Sequence, residues 1–299
     1  RGRFLKKMVR RRYALTIAYD GSRLFGFQTQ KDGETVQSRL ETALSVLLRE
    51  EIKIQAAGRT DSGVHATGQV VSFRTHALIE ESDSFLRSID ALAGPSVQAV
   101  KFHEVPYDFH PRFDCVAREY EYLIHQARTP SLFMSPYTWT VPDSLDLEAV
   151  FPELLALQGE HNFEAFTKRA NPEEKKERYL DHIALQRRYD PVGGATLLAL
   201  TIRGNAFLHN MIRIIVGSFV DRASGRLSMS LPEIMQSRDR IQAGRTAPPQ
   251  GLYFRAAYYP DVPDLHGIGL SLLRDYPVFG NSLFKQKLLR IQDSLQSNT

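Results

Sequence analysis

Tyr13-Ala14-Leu15-Thr16-Ile17-Ala18-Tyr19-Asp20-Gly21 begins with seven apolar, β-branched and aromatic residues and closes on a turn dipeptide. It predicts a strand over 13–19, and the segments after it decide what kind of sheet that strand joins. Residues 34–49 place Val36, Leu40, Ala43, Leu44 and Leu47 at helical spacing, which gives an amphipathic helix. The alternating run 51–57 reads as a strand, 69–73 as another, 82–93 as a helix and 97–104 as a strand. The order β-α-β-β-α-β is a ferredoxin-like pattern.

A second series repeats it. Residues 117–124 form a strand, and 144–157 a helix capped by Asp143 or Ser144. Two alternating strands, 178–189 and 196–203, flank the Asp190–Gly194 turn. An apolar helix covers 206–223 and stops at Gly225. Ser230-Leu231-Pro232-Glu233 is a capping box that opens a further helix, and 251–259 closes the series as a strand. The fold class expected is α+β, with two ferredoxin-like, RRM-like halves of antiparallel sheet, 13–105 and 106–260, on either side of a central cleft. A basic arm, 1–12, precedes them. A tail, 261–299, follows, with an amphipathic helix near 283–295.

The net charge of +4 is unevenly placed. Residues 1–12 carry seven basic side chains and no acidic one, which leaves 31 basic against 34 acidic groups in the body. Local patches rather than global charge must therefore carry any nucleic-acid binding. The arm reads as a disordered, phosphate-seeking segment, and 168–178 as a solvated charged loop. Cys115 is the single cysteine, which excludes internal disulfides and multi-cysteine zinc sites and fits a reducing, cytoplasmic compartment. The nine histidines include no HxxxH or HxH pair, so no metal site is expected. No apolar run approaches the roughly 18 residues that span a bilayer, and a soluble protein is expected.

Gly58-Arg59-Thr60-Asp61-Ser62-Gly63-Val64-His65-Ala66 is the segment that chemistry explains better than folding. Two glycines let the loop bend and put Asp61 on its crest. Arg59, two residues away, would hold that carboxylate ionised and oriented within a buried site. Such a group suits a nucleophile or a lone base. Asp-Ser-Gly is also ordinary turn chemistry. An aspartic protease uses similar triplets but needs two carboxylates sharing one proton, and the chain has no second triplet. Tyr120 and Tyr122 alternate on one strand, either as core or as a platform for a base. Arg213 sits in an apolar helix, where a guanidinium is costly unless paired; it belongs either to a surface stripe with Asn210 or against Asp61. Arg112 and the pairs Arg222/Arg226 and Arg238/Arg240 supply local positive charge for phosphates.

These residues together resemble the TruA family of tRNA pseudouridine synthases, from about Tyr13 to Tyr259. Tyr19-Asp20-Gly21-Ser22 and Gly26-Phe27-Gln28 are similar to its opening motif, with Phe27 where tryptophan is usual. Residues 58–66 resemble its aspartate loop, with Ser62 in place of alanine. Arg118-Glu119-Tyr120-Glu121-Tyr122, Phe207–Arg213 and Gly251-Leu252-Tyr253 resemble its later motifs. The resemblance implies one continuous pseudouridine-synthase-type sheet and no cofactor. It implies that Asp61 is the essential catalytic aspartate, that Arg59 holds the flipped nucleotide and that Arg213 salt-bridges Asp61. Tyr120 and Leu252 would contact the base, with His65 and Gln69 as further substrate-binding positions and Arg112, Arg222 and Arg226 on the RNA backbone. The implied partner is tRNA, at uridines 38–40 of the anticodon stem-loop, and the implied assembly is a homodimer. Tandem RNA-recognition modules without catalysis also fit two such halves; the Arg-Thr-Asp loop is what distinguishes the enzyme from them.

Overall fold

The computed structural model describes residues 10–168, 172–190, 195–260, 262 and 265. The chain divides into two compact units. The first runs through Cys115 and takes up the chain again from Ala257; the second is Val116–Ala256.

In the first unit the elements are β1 (Arg11–Tyr19), α1 (Val36–Leu48), β2 (Gln55–Ala56), β3 (His65–Thr75), α2 (Ser82–Ala93) and β4 (Val97–Val105). The sheet order is β4-β1-β3-β2 with antiparallel neighbours, as a ferredoxin-like unit requires. Leu15 pairs with both Val71 and Phe102. Around this centre, Tyr13 stacks on Phe102 at 4.9 Å, and Phe85 meets Phe102 edge-on at 5.3 Å. Val36, Leu40, Ala43 and Leu44 form the buried stripe of α1, whose first turn is closed by a reciprocal capping box between Thr35 and Ser38.

Three expectations change here. The strand over 51–57 shrinks to Gln55–Ala56, because side chains of α1 satisfy the backbone before it: Ile52 N donates to Ser45 Oγ (2.9 Å) and Ile54 N to Glu41 Oε1 (3.1 Å). The basic arm does not reach residue 12. Arg11 and Arg12 belong to β1, and Arg12 is buried, donating to Ser72 Oγ (3.2 Å) and Tyr107 O (3.3 Å). Desolvation, followed by the charge of Arg74, lowers its pKa. Residues 106–115 pack with the first unit because Tyr259 returns to them: its hydroxyl donates to Pro111 O (2.6 Å) and its ring lies 5.1 Å from Phe109.

The second unit contains β5 (Ala117–Gln126), β6 (Trp139–Val141), α3 (Leu147–Leu155), β7 (Gly159–Asn162), β8 (Glu177–Asp190), β9 (Ala195–Gly204), α4 (Met211–Ala223), α5 (Leu231–Ser237) and β10 from Leu252. Its strand order, β10-β5-β9-β8-β7, contains the same 4-1-3-2 arrangement. β6, parallel to β5, and β7 are additions of three and four residues, too short for periodicity to reveal.

Helix α3 starts at Leu147 because Asp146, not Asp143 or Ser144, accepts from Ala149 N (2.9 Å). Helix α4 starts five residues later than periodicity suggests. Asn205 Oδ1 accepts from Tyr179 N (3.0 Å) and Ala206 N (2.8 Å), drawing the chain into a loop, and Asn210 enters the helix at φ 60°. The Ser230–Glu233 capping box is present as expected. In the charged run, Pro172–Lys175 are exposed while Lys176 is buried. The turn at 191–194 and the helix near 283–295 lie outside the described residues. No described helix is long and apolar enough to cross a membrane.

Candidate active site

The loop between β2 and β3 alternates exposed and buried side chains: Arg59 and Asp61 are exposed, and Thr60 between them is buried. An extended backbone produces this alternation, so the cation and the anion share the outer side. Asp61 is therefore not the buried carboxylate expected from the sequence. It opens a turn in which Val64 N donates to Asp61 O (3.2 Å), with Gly63 at the third position and φ 81°. That position of a turn demands a positive φ, and a carboxylate at its first residue is held out from the body.

Beneath the crest the loop is fastened from several sides. Thr60 Oγ1 and the Tyr19 hydroxyl share a hydrogen bond of 2.7 Å, and Thr60 O accepts from Phe27 N (3.1 Å). Gln69 Nε2 donates to Gly58 O (2.9 Å), and Gln69 also bonds the Tyr19 hydroxyl. Tyr19 is fully enclosed; burial pushes its pKa up to about 12, against the opposing pull of its bonds to Thr60 and Gln69. Gly21 N donates to His65 Nδ1 (3.1 Å), and the Asp20 carboxylate lies 3.3 Å from the same nitrogen. A Cβ on Gly21 would lie 2.1 Å from Val64 O, and one on Gly26 3.1 Å from both Ser62 N and Thr60 O. The opening motif is thus the underside of the aspartate loop, a task that sequence reasoning did not give to Tyr19, Gly21 or Gly26. His65 and Gln69, expected as substrate contacts, expose 2% and 0% of their surface. With so little surface to offer a ligand, they support the loop instead.

In the second unit Tyr120 is half-buried on β5, with the edges of Phe207 (5.1 Å) and Phe254 (5.0 Å) against its ring. Tyr122, two positions on, is buried and donates to Pro248 O (2.7 Å). Desolvation raises its pKa well above the ordinary value, opposed by the positive charge of Arg213. Gly251 lies against this ring, where a Cβ would approach to 2.6 Å, and Leu252 beyond it is buried. Arg213, in the first turn of α4 and half-buried, donates Nε to Ala247 O (2.7 Å) and Nη1 to Asn210 Oδ1 (3.0 Å).

The remaining basic candidates differ. Arg112, in the first unit, is exposed, its guanidinium 5.8 Å from the Phe113 ring. Arg226 is 63% exposed and 3.6 Å from Asp221. Arg222 is committed within the second unit: it bonds Glu153 at 3.1 and 3.3 Å and Leu227 O at 3.1 Å, while Glu153 also accepts from Leu231 N at the start of α5.

A family profile described as tRNA pseudouridine synthase matches residues 15–114 and 154–260. The tRNA pseudouridine synthase A of Leptospira biflexa is 40% identical over 258 residues, spanning 85% of this chain and 96% of that protein. Its namesakes from Brachyspira hyodysenteriae (35% over 249 residues, 83% and 98%) and Thermotoga neapolitana (37% over 245 residues, 82% and 98%) align over a similar span. With the profile covering both units and such identity over nearly the whole of these relatives, the chain belongs to the TruA family of tRNA pseudouridine synthases.

Proposed function

We propose that this tRNA pseudouridine synthase works through Asp61 as its essential catalytic carboxylate. The observation that carries the reading is the build of the 58–65 loop. Its anchors, Tyr19, Gln69, His65 and Gly21, are buried, and the one acidic side chain it carries is exposed on the crest. A carboxylate so placed is rigid and accessible, which a catalytic group needs and a structural turn does not.

The reaction breaks the N1–C1′ bond of uridine, turns the uracil and joins C5 to C1′; the C5 proton leaves to solvent and N1 gains one. It is redox-neutral, so side chains can carry it without a cofactor. The uridine must leave its stack before Asp61 reaches it. Arg59, on the same outer side, holds the flipped nucleotide; Tyr120 stacks on the uracil, worth roughly 1–3 kcal/mol; Leu252 packs beside it. Arg213 completes the catalytic set. Arg112 and Arg226, both exposed, take phosphates, while Arg222, tied to Glu153, adds only distant positive charge. The targets are uridines 38–40 of the anticodon stem-loop, and the enzyme acts as a homodimer in the cytoplasm.

Release of tritium from tRNA labelled at uracil C5 tests this. The wild type should release it. Asp61→Asn should lower the rate by at least about 10³-fold, with tRNA affinity within a few-fold. Retained release by the variant would remove Asp61 from its role. Binding without release by the wild type, across several tRNAs, would favour the non-catalytic RNA-binding alternative.

A further inference from the structure

Residues 240–248 form a strap along α4. It begins with a single 3-10 turn, Arg240–Gln242, and its backbone then touches the helix directly. A Cβ on Gly217 of α4 would lie 1.8 Å from Arg245 O, and a Cβ on Gly244 of the strap 2.8 Å from Ser218 Cα. Only glycines at these two positions allow such an approach.

Two ends hold the strap. At the far end Gly244 N donates to Ser218 Oγ (2.9 Å), and Asp221 accepts three times from Arg245: from its backbone N (3.0 Å), from Nε (2.8 Å) and from Nη2. At the near end Ala247 N donates to Arg213 O (2.9 Å) and Arg213 Nε returns to Ala247 O (2.7 Å), while Pro248 O accepts the Tyr122 hydroxyl (2.7 Å). The two carbonyls that orient Arg213 and Tyr122 are therefore neighbours on one short segment, and an ion pair two turns down α4 fixes that segment.

Asp221 is an odd residue for its place. It lies in the last turn of α4, where the helix dipole disfavours an anion, and its side chain is only 7% exposed. Helix propensity and burial would both remove it; the fork of Arg245 and the strap amide compensate, with the exposed Arg226 guanidinium 3.6 Å from the same carboxylate.

We propose that Asp221 and Arg245 are positioning residues for uridine isomerisation, acting through the strap on the Arg213 guanidinium. This rests on the role assigned above to Arg213. When the ion pair is lost, the strap loosens at Arg245, the Ala247 carbonyl shifts, and Arg213 loses its fixed direction while the core of the unit remains packed.

The test is single-turnover tritium release with Asp221→Asn, Arg245→Gln, Arg245→Lys and each combined with Arg213→Lys. Only variants with wild-type circular dichroism at the assay temperature are used. Arg245 is 43% exposed, so Arg245→Gln carries the test should Asp221→Asn fail to fold. The expected result is a roughly 10-fold lower rate at saturating enzyme for Asp221→Asn and Arg245→Gln with the half-saturating enzyme concentration within about 2-fold, and partial recovery in Arg245→Lys. In the Arg213→Lys background the same changes should cost less than about 2-fold, because the residue they act on is already altered. Equal losses in both backgrounds would mean general destabilisation and overturn the proposal. Wild-type rates in Asp221→Asn and Arg245→Gln, with Arg213→Lys slow, would overturn it and leave the role of Arg213 standing. A wild-type rate in Arg213→Lys and Arg213→Ala would instead remove the role of Arg213.

Discussion

Beneath Asp61 the first unit places short hydrogen bonds: those of the Tyr19 and Thr60 hydroxyls, of the Gln69 amide and of His65, whose Nδ1 accepts from Gly21 N and lies 3.3 Å from the Asp20 carboxylate. The second unit braces Arg213 with two carbonyls and, further along α4, with a carboxylate and a guanidinium. The ion pair of the second unit lies eight residues from Arg213, about 12 Å along the helix at 1.5 Å per residue. The strap that joins the two is what carries the effect of the ion pair to Arg213, as a mechanical constraint. The lesson is that the aspartate loop is held by hydrogen bonds close to its crest, whereas the brace of Arg213 draws on an ion pair further along its helix.

Glycines test this comparison most severely. Gly21→Ala places a Cβ 2.1 Å from the backbone oxygen of Val64, which cannot swing aside. We expect about 1–3 kcal/mol or more of lost stability in urea and a turnover lower by about 100-fold, since the aspartate crest itself moves. Gly217→Ala, with its clash at Arg245 O, should cost similar stability but only about 10-fold in turnover, because it moves the brace of Arg213 rather than the carboxylate. If turnover falls equally in both, the distinction between the two foundations is lost.

A smaller effect tests one hydrogen bond beneath the loop. Tyr19→Phe leaves the Thr60 hydroxyl without its partner and should cost about 1–2 kcal/mol at pH 8. The penalty depends on pH. The unfolded tyrosine ionises near pH 10, while folded Tyr19 keeps its proton to about 12. Between those values the unfolded state holds fewer protons, so the wild type loses stability as pH rises, by roughly 2–3 kcal/mol at pH 12. The variant has no such component. The gap between the two urea midpoints should therefore close or reverse from pH 8 to pH 12; a constant gap would show that Tyr19 is not shielded as described.

The smallest expected effects concern Arg226 and Arg222. Arg226→Ala should lower the slope of log affinity for tRNA against log salt by about one, with little change in stability. Arg222→Ala should do the reverse: it leaves Glu153 with one partner fewer and costs stability, but hardly changes the slope. The opposite pattern would exchange the roles given to the two arginines.

Much of this molecule was written locally. Helical spacing from Val36 to Leu44, the Ser230–Glu233 box and the apolar, β-branched and aromatic run Tyr13–Tyr19 specify their elements through neighbours no more than a few residues apart. The aspartate loop was legible for the same reason: its arginine, carboxylate and turn glycine are contiguous. What sequence could not show depends on partners far along the chain. Gln69 and His65 read as ligand contacts until burial showed them bracing Gly58 and Gly21. Glu41 and Ser45 ended an expected strand from another element, and Asn205 delayed α4 by capping Tyr179. Asp221, unfavourable by helix rules, makes sense only once Arg245 lies against it. Sequence by itself determined most of the longer strands and helices and put the carboxylate on the crest of its loop, because those follow from local patterning and turn chemistry. Tertiary structure alone decided which polar groups stay exposed and which brace the loops, because a hydrogen bond between distant residues leaves no periodic trace.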